Sequence, residues 1–414
     1  VEAARIGGTD ALTKNAETYE DRGAEHMRHW DIMRYVLTSC VAGALLAGCG
    51  GPQAPGSVPF SGSNAQKRVQ SAGRPATGAG HYLYVTDGGS HYISAFAIDP
   101  SSGALTHVKG SPFSTGRRPV GEAIDPTGTF MYVANAHSDE VGAYLVHPKT
   151  GRLTRVQGSP FAARAYPWQV AIDPTGKFVY VVNYSSNNVC AYAINASTGA
   201  LTQVQGSPFS TGSHPSGVAV DPTGKFVYVP NAADDDVSAY AINPSSGALM
   251  QVPGSPFAAG SAPRKVAIDG TFAYVADSGS NNISAYAIDT ASGALTQVQG
   301  SPFAAGNAPV GIAIDPAAKF VYVTNHGTGN VSAYAINTAS GALTQVQGSP
   351  FAAGANPTSV AIDPTGNFAY VGDIGNGSSG NVSAFAINAG SGALTPVQGS
   401  PFLAGRHPFD VTVR

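Results

Sequence analysis

The tripeptide Ser-Pro-Phe occurs seven times, beginning at Ser111, Ser159, Ser207, Ser255, Ser301, Ser349 and Ser400. Successive copies stand 48, 48, 48, 46, 48 and 51 residues apart. A repeat of this period constrains the fold more than length does. Each repeat is one supersecondary unit, and it buries its apolar faces only by stacking on neighbours. Without the repeat, 414 residues would be read as two or three domains. The irregular spacings have local causes. The short repeat carries Asp269-Gly270-Thr271 where its sisters carry Asp-Pro-Thr-Gly-Lys, and the long one carries extra residues between Asp373 and Asn381.

One repeat, from Pro215 to Phe257, shows what each unit forms. Gly217 to Val220 is a short apolar run. Asp221-Pro222-Thr223-Gly224 is a turn, in which Pro sets φ and Gly supplies a positive φ. Phe226 to Val229 is aromatic and β-branched, as strands prefer. A polar loop leads to Val237-Ser238-Ala239-Tyr240-Ala241-Ile242, which puts Ser, Tyr and Ile on one face and Val, Ala and Ala on the other. Large against small is what lets sheets interlock at about 10 Å. A Pro-Ser-Ser-Gly turn then leads to an outer run, Ala248 to Val252, which the Pro of Ser-Pro-Phe is expected to end.

The pattern predicts an all-β, seven-bladed β-propeller with four strands per blade. Its closure can be counted. The first full run, Tyr82 to Thr86, matches a second strand, and Pro408 to Val413 matches a first strand with nothing after it. The C-terminal strand should therefore complete the N-terminal blade. Composition agrees. Charged residues are only 11%, against a usual share of about 25%, and 51 Gly with 29 Pro suit many tight turns without reaching the disordered range. The net charge of −3 gives no basic footprint for nucleic acid.

Residues 1–32 are polar and aperiodic, and read as an over-extended or non-native start before Met33. Residues 33–49 read as a lipoprotein signal. Arg34 gives the positive end, Tyr35 to Ala47 is an apolar stretch too short to span a bilayer, and Leu46-Ala47-Gly48-Cys49 resembles a lipobox. Cys49 is then the lipidation site, which anchors the protein to a bacterial membrane on its extracytoplasmic side. Residues 50–80, rich in Gly, Pro, Ser and Ala, read as a tether, and 81–414 as the propeller. Cys40 and Cys49 fall in the signal, so Cys190 has no partner for a disulfide. It stands where sister repeats carry Ser238, Ser284 and Ser332, and is expected to be a small buried core residue.

Second strands read Tyr132-Val133-Ala134-Asn135, Tyr180-Val181-Val182-Asn183 and Tyr322-Val323-Thr324-Asn325. With Asp-Pro-x-Gly-Lys-Phe before them, residues 82–414 resemble the YVTN-repeat propellers and the lactonase family that includes 6-phosphogluconolactonase. The resemblance implies a lactone hydrolase. It also implies a site built on Pro-Arg-His at the start of a first strand and Asn-Glu after a Tyr-Val-x. The nearest match is Pro263-Arg264-Lys265 with Asp277-Ser278. The Arg is kept, Lys265 replaces His, and Ser278 replaces Glu, so the family's base is not at its usual position.

The repeats supply their own control, because departures from their consensus mark candidate positions. At the start of first strands these are Arg117-Arg118, Glu122, Tyr166, Trp168 and Gln169, His214, Arg264 and Lys265, and Arg406-His407 with Asp410. They predict a channel mouth that is polar and aromatic on one side. Arg118, Glu122, Tyr166, Trp168, Gln169, His214, Arg264, Lys265, Arg406 and His407 are the candidate ligand-binding residues, suited to a sugar or organic acid. Glu122, His407, Asp410 and Arg264 are the candidate catalytic ones. Asp234-Asp235-Asp236 lacks the order of a calcium loop and reads as solvated, while His137 and His326 read as surface histidines. No metal and no cofactor is expected. Three functions compete: a monomeric surface propeller that binds a small polar ligand or a protein at the channel mouth, a lactone hydrolase with a rearranged site, and a structural envelope protein.

Overall fold

The computed structural model describes residues 80–377 and 379–414. The expected start segment 1–32, the signal 33–49 with Cys49, and tether residues 50–79 lie outside the described residues. What is described is a ring of seven antiparallel sheets. The blades are 119–162, 167–210, 215–258, 263–304, 309–352 and 357–403, called second to seventh. The first blade joins 82–114 to the C-terminal strand Pro408–Val413.

Each blade runs outward from the ring axis. In the sixth, Pro309–Ile314 is innermost, Phe320–Asn325 and Asn330–Ile336 follow, and Leu343–Gln345 is outermost. The outer strand departs from expectation. It does not end at the Ser-Pro but resumes as Phe351–Ala352, which pairs with the other half of the third strand. Between the two outer pieces the backbone turns away, with the Ser349 N–H donating to the Val346 carbonyl, and the serine side chain takes over as acceptor for the third strand. Ser349 Oγ accepts the backbone N–H of Ala333 at 2.9 Å, and the same bond recurs at Ser111, Ser159, Ser207, Ser255, Ser301 and Ser400. An N–H that would otherwise be buried unpaired is satisfied in every blade.

The core is divided among the interfaces between blades. Tyr240 of the fourth blade packs with Phe178 and Tyr180 of the third, while Val237 and Ala239 pack with Val266 and Ala273 of the fifth. This is the large-face, small-face pattern read from the sequence. The tyrosine of each Tyr-Val motif adds a directional tie. Tyr132 Oη donates to the Gly199 carbonyl of the next blade at 2.9 Å, and Tyr370 closes the circle onto Gly103 at 3.1 Å. Gly199 has φ +73°, and a Cβ there would collide with the Phe130 ring, so both turn and packing require glycine.

Closure occurs as counted. Leu83, Tyr84 and Val85 pair with Val413, Thr412 and Val411. Cys190 is buried and its sulfur accepts a hydrogen bond from Asn183.

Candidate functional site

Six of the seven innermost strands carry a register irregularity just after the opening proline. A bulge re-aims side chains that simple alternation would send to opposite faces. Successive residues therefore both reach the ring axis, as Lys265 with Val266, Ser359 with Val360, and Asp410 with Val411 do. Together with Glu122, Gln169, Val218 and Ile312 they line an axial cavity of about 180 Å³. Gly121 stands where the next blade carries Gln169. A Cβ there would lie 2.6 Å from the Trp168 carbonyl, so glycine lets the two inner strands approach.

The polar residues of the channel come from five blades. Asp410 gathers them. Lys265 Nζ donates to its Oδ1 at 2.6 Å, Ser359 Oγ to the same oxygen at 2.6 Å, and Gln169 Nε2 to Oδ2 at 2.8 Å. Glu122 stands apart. It is 4% exposed, and neither carboxyl oxygen has a hydrogen-bond partner. Burial, then the charges of Asp410 and Asp87, push its proton affinity well above the usual carboxylate range. The Lys265 ammonium pulls the other way, as does the Thr412 amide, which lies close but outside hydrogen-bonding geometry. Asp87 itself is pushed up to about 7, by burial above all.

A second cluster lies at the loop face. The residue before the opening proline has a left-handed backbone in all seven blades: Arg118, Tyr166, His214, Ala262, Ala308, Asn356 and His407, with φ of 50–61°. That conformation is costly for bulky residues. The preceding blade's loop holds it in place, with Asp139 Oδ1 accepting the Tyr166 N–H at 2.8 Å and Asn187 Oδ1 the His214 N–H at 2.9 Å. Tyr166 stacks on Trp168 at 5.7 Å, Trp168 meets Tyr184 at 5.5 Å and the edge of Phe409 at 5.3 Å, and Tyr184 stacks on His214 at 4.5 Å. The Arg118 guanidinium lies over Tyr166, Trp168 and Phe409 at 5.4, 5.9 and 6.0 Å, and its Nη1 is 3.3 Å from His137 Nε2.

The structure thus divides the candidates. Glu122, Gln169, Lys265 and Asp410 meet in the channel, whereas Arg118, Tyr166, Trp168 and His214 meet on the face. Arg264 turns aside, with Nε donating to Ser278 Oγ at 3.1 Å. Arg406 and His407 lie against Gly88 and Gly89, and His407 is not among the cavity-lining residues. Sequence reasoning missed Ser359, which looks ordinary in its repeat, Tyr184, which packs on Trp168 of its own blade and on His214 of the next, and Phe409, whose partner Trp168 lies on another blade. His137 is exposed, the surface histidine expected, and it also lies against Arg118 and Tyr166. The Asp234-Asp235-Asp236 run is largely exposed, as expected of a solvated loop, and two of its carboxylates also tie down neighbouring backbone. Asp234 accepts the Ser213 N–H and Asp235 the Ala262 N–H. Among the described residues no group of three or more His, Cys, Asp or Glu is placed to hold a metal.

Ring and channel together define a seven-bladed β-propeller with a small polar axial cavity beneath its loop face. The chain belongs to the family described as lactonase, 7-bladed beta-propeller, whose model matches residues 55–165, 160–212 and 205–412. Among solved structures, a Bacteroides uniformis protein provisionally named a 6-phosphogluconolactonase superposes with a TM-score of 0.70 at 20% identity, over 82% of this chain and 100% of that one. The periplasmic gluconolactonase PpgL of Pseudomonas aeruginosa gives 0.68 at 22%, over 80% and 98%. A Lactobacillus plantarum protein gives 0.67 at 23%, over 81% and 99%. At these identities the likeness carries the fold. A search of curated proteins finds no match.

Proposed function

We propose that this lactonase-family propeller is lipid-anchored through Cys49 on the extracytoplasmic side of a bacterial membrane and binds a small polar, sugar-acid-like ligand at its channel mouth. One observation carries the binding reading. Five polar side chains from five blades converge on the axial cavity, and the Glu122 carboxyl among them is buried without a partner. Burying an unpaired carboxyl costs several kcal/mol, and a polar ligand would offset that cost. The Arg118–aromatic cluster above supplies a cationic, apolar rim. The anchor reading rests on the lipobox order of residues 46–49, and the structural relative PpgL is named as a periplasmic protein.

Lactone hydrolysis is the second reading, favoured by the family match and by two carboxyl groups, Glu122 and Asp410, in one cavity. Ring opening needs a base for water and donors for the developing oxyanion. Lys265 and Ser278 stand where the family places His and Glu, and in this structure they serve Asp410 and Arg264.

One experiment addresses both readings. Fatty-acid labelling should mark the wild type and not Cys49→Ala, which should be soluble and folded. That soluble protein is then titrated with D-gluconate and assayed against simple and phosphorylated aldonolactones. Binding with hydrolysis no faster than the spontaneous rate is expected. Turnover abolished by Glu122→Gln or Asp410→Asn would make the protein a lactonase, and absence of gluconate binding would remove the sugar-acid reading.

A further inference from the structure

The third position after the opening proline is Val or Ile in six inner strands: Val170, Val218, Val266, Ile312, Val360 and Val411. In the second blade it is Glu122. An apolar residue therefore satisfies the fold at this position, and the carboxyl is a departure that packing does not require. It is 4% exposed, lines the axial cavity, and leaves both oxygens unpartnered.

We propose that the axial cavity holds the uncharged vicinal-diol end of its ligand on the carboxyl of Glu122 and turns a carboxylate away there. The inference rests on the ligand-binding reading above and states which end of the molecule enters. Three features of the site decide the chemistry. The nearest cation, Lys265, is already held by Asp410 at 2.6 Å and lies 3.4 Å from Ser359 Oγ. Asp410 already accepts from Lys265, Ser359 and Gln169. Glu122 thus faces a cavity whose only ammonium is engaged, with Asp410 and Asp87 adding negative potential. An ionised ligand carboxylate entering here would lose its hydration in a space where the one ammonium is already paired with Asp410. A neutral carboxyl offers one O–H donor and one acceptor oxygen side by side. Two adjacent hydroxyls offer the complement, one accepting and one donating. The burial and acidic neighbours that hold the proton on Glu122 support this protonation state.

The carboxylate of a sugar acid is then left at the loop face, where Arg118 lies. Gluconate can enter diol first. Glucarate cannot offer a terminal diol, because it carries a carboxylate at each end. Simple attraction to the arginine rim would favour the dianion, so the two effects oppose each other.

The test uses the full chain, titrated calorimetrically with D-gluconate and D-glucarate, alongside Glu122→Val and Glu122→Gln. Glu122→Val gives the second blade its sisters' residue, and an unchanged melting temperature would verify its fold. Wild type should bind gluconate at least about tenfold more tightly than glucarate, the discrimination expected when a buried polar group is left without its complement. Glu122→Val should lose about tenfold or more in gluconate affinity, whereas Glu122→Gln, which keeps a donor and an acceptor, should stay within about threefold. Glucarate binding as tightly as gluconate, or undiminished gluconate affinity in Glu122→Val, would overturn the inference while leaving the ligand-binding reading intact. If neither acid binds the wild type, both fall.

Discussion

The last residue of each Tyr-Val-x-Asn/Asp motif is buried and bonded across to the third strand, yet the blades differ in its chemistry. Asn325 donates to Asn330 Oδ1 at 2.7 Å and Ser332 Oγ at 2.9 Å. Asp277 and Asp373 occupy the same place opposite Ser284 and Ser383, each with one oxygen buried and unpartnered. Burial, outweighing the serine bonds, pushes both up to about 7 from 3.8. Unfolded chain releases these protons near pH 4, while the folded protein holds them until about pH 7. Their protonated-state stabilisation is therefore complete below pH 4, declines between pH 4 and 7, and is gone above. At about 1.4 kcal/mol per unit, each aspartate costs at most about 4 kcal/mol at pH 8. Asp277→Asn and Asp373→Asn should each stabilise the protein at pH 8 by about 1–3 kcal/mol, with little gain at pH 4. Thermal melts across that range would show it, and a variant with no gain at pH 8 would mean that the aspartates are already compensated.

At the scale of the element, much was legible because the chain prints each strand seven times. Strand order, turns, the two-faced third strand and the closing strand all follow from comparing one repeat with the next. Departures from the repeat consensus exposed Glu122, Gln169, Lys265 and Asp410, four of the five polar groups in the channel. Ser359 escaped because serine is common in these repeats, and its role depends on a bulge that sequence does not show. The aromatic cluster escaped in part because Phe409 reaches Trp168, and Tyr184 reaches His214, only when separate blades meet. The outer strand was misjudged for a different reason. Pro was read as a terminator, but the preceding serine supplies the acceptor that lets pairing resume two residues later. That bond is testable. Ser255→Ala should leave the Ala239 N–H unpaired and cost about 1–2 kcal/mol, seen as a lowered denaturation midpoint with unchanged slope. A cost near zero would indicate that water or local rearrangement replaces the hydroxyl.

For the molecule as a whole, one strand joins ring and channel. Pro408–Val413 closes the first blade by pairing with Tyr82–Asp87, and its Asp410 is the acceptor on which Gln169, Lys265 and Ser359 converge. Arg414 adds a bond from Nε to the Gly128 carbonyl of the second blade. Ending the chain after Gly405 removes all of these together. It also leaves Lys265 without its carboxylate and exposes Tyr82–Asp87 as an unpaired edge beside the axis. The lost burial of Val411 and of the half-buried Phe409 and Val413 is worth roughly 3–6 kcal/mol, a large share of the whole stability of about 5–15 kcal/mol usual for a folded domain. The truncated protein should therefore lose cooperative unfolding or aggregate. Asp410→Asn, which keeps the strand and removes only the charge, should remain a folded ring with a smaller loss. Calorimetry and size-exclusion chromatography on the two variants separate the effects. A truncated protein that melts at the wild-type temperature would exclude closure by this strand. An Asp410→Asn protein as damaged as the truncation would mean that the channel ion pair, rather than the β-ladder, holds the ring shut.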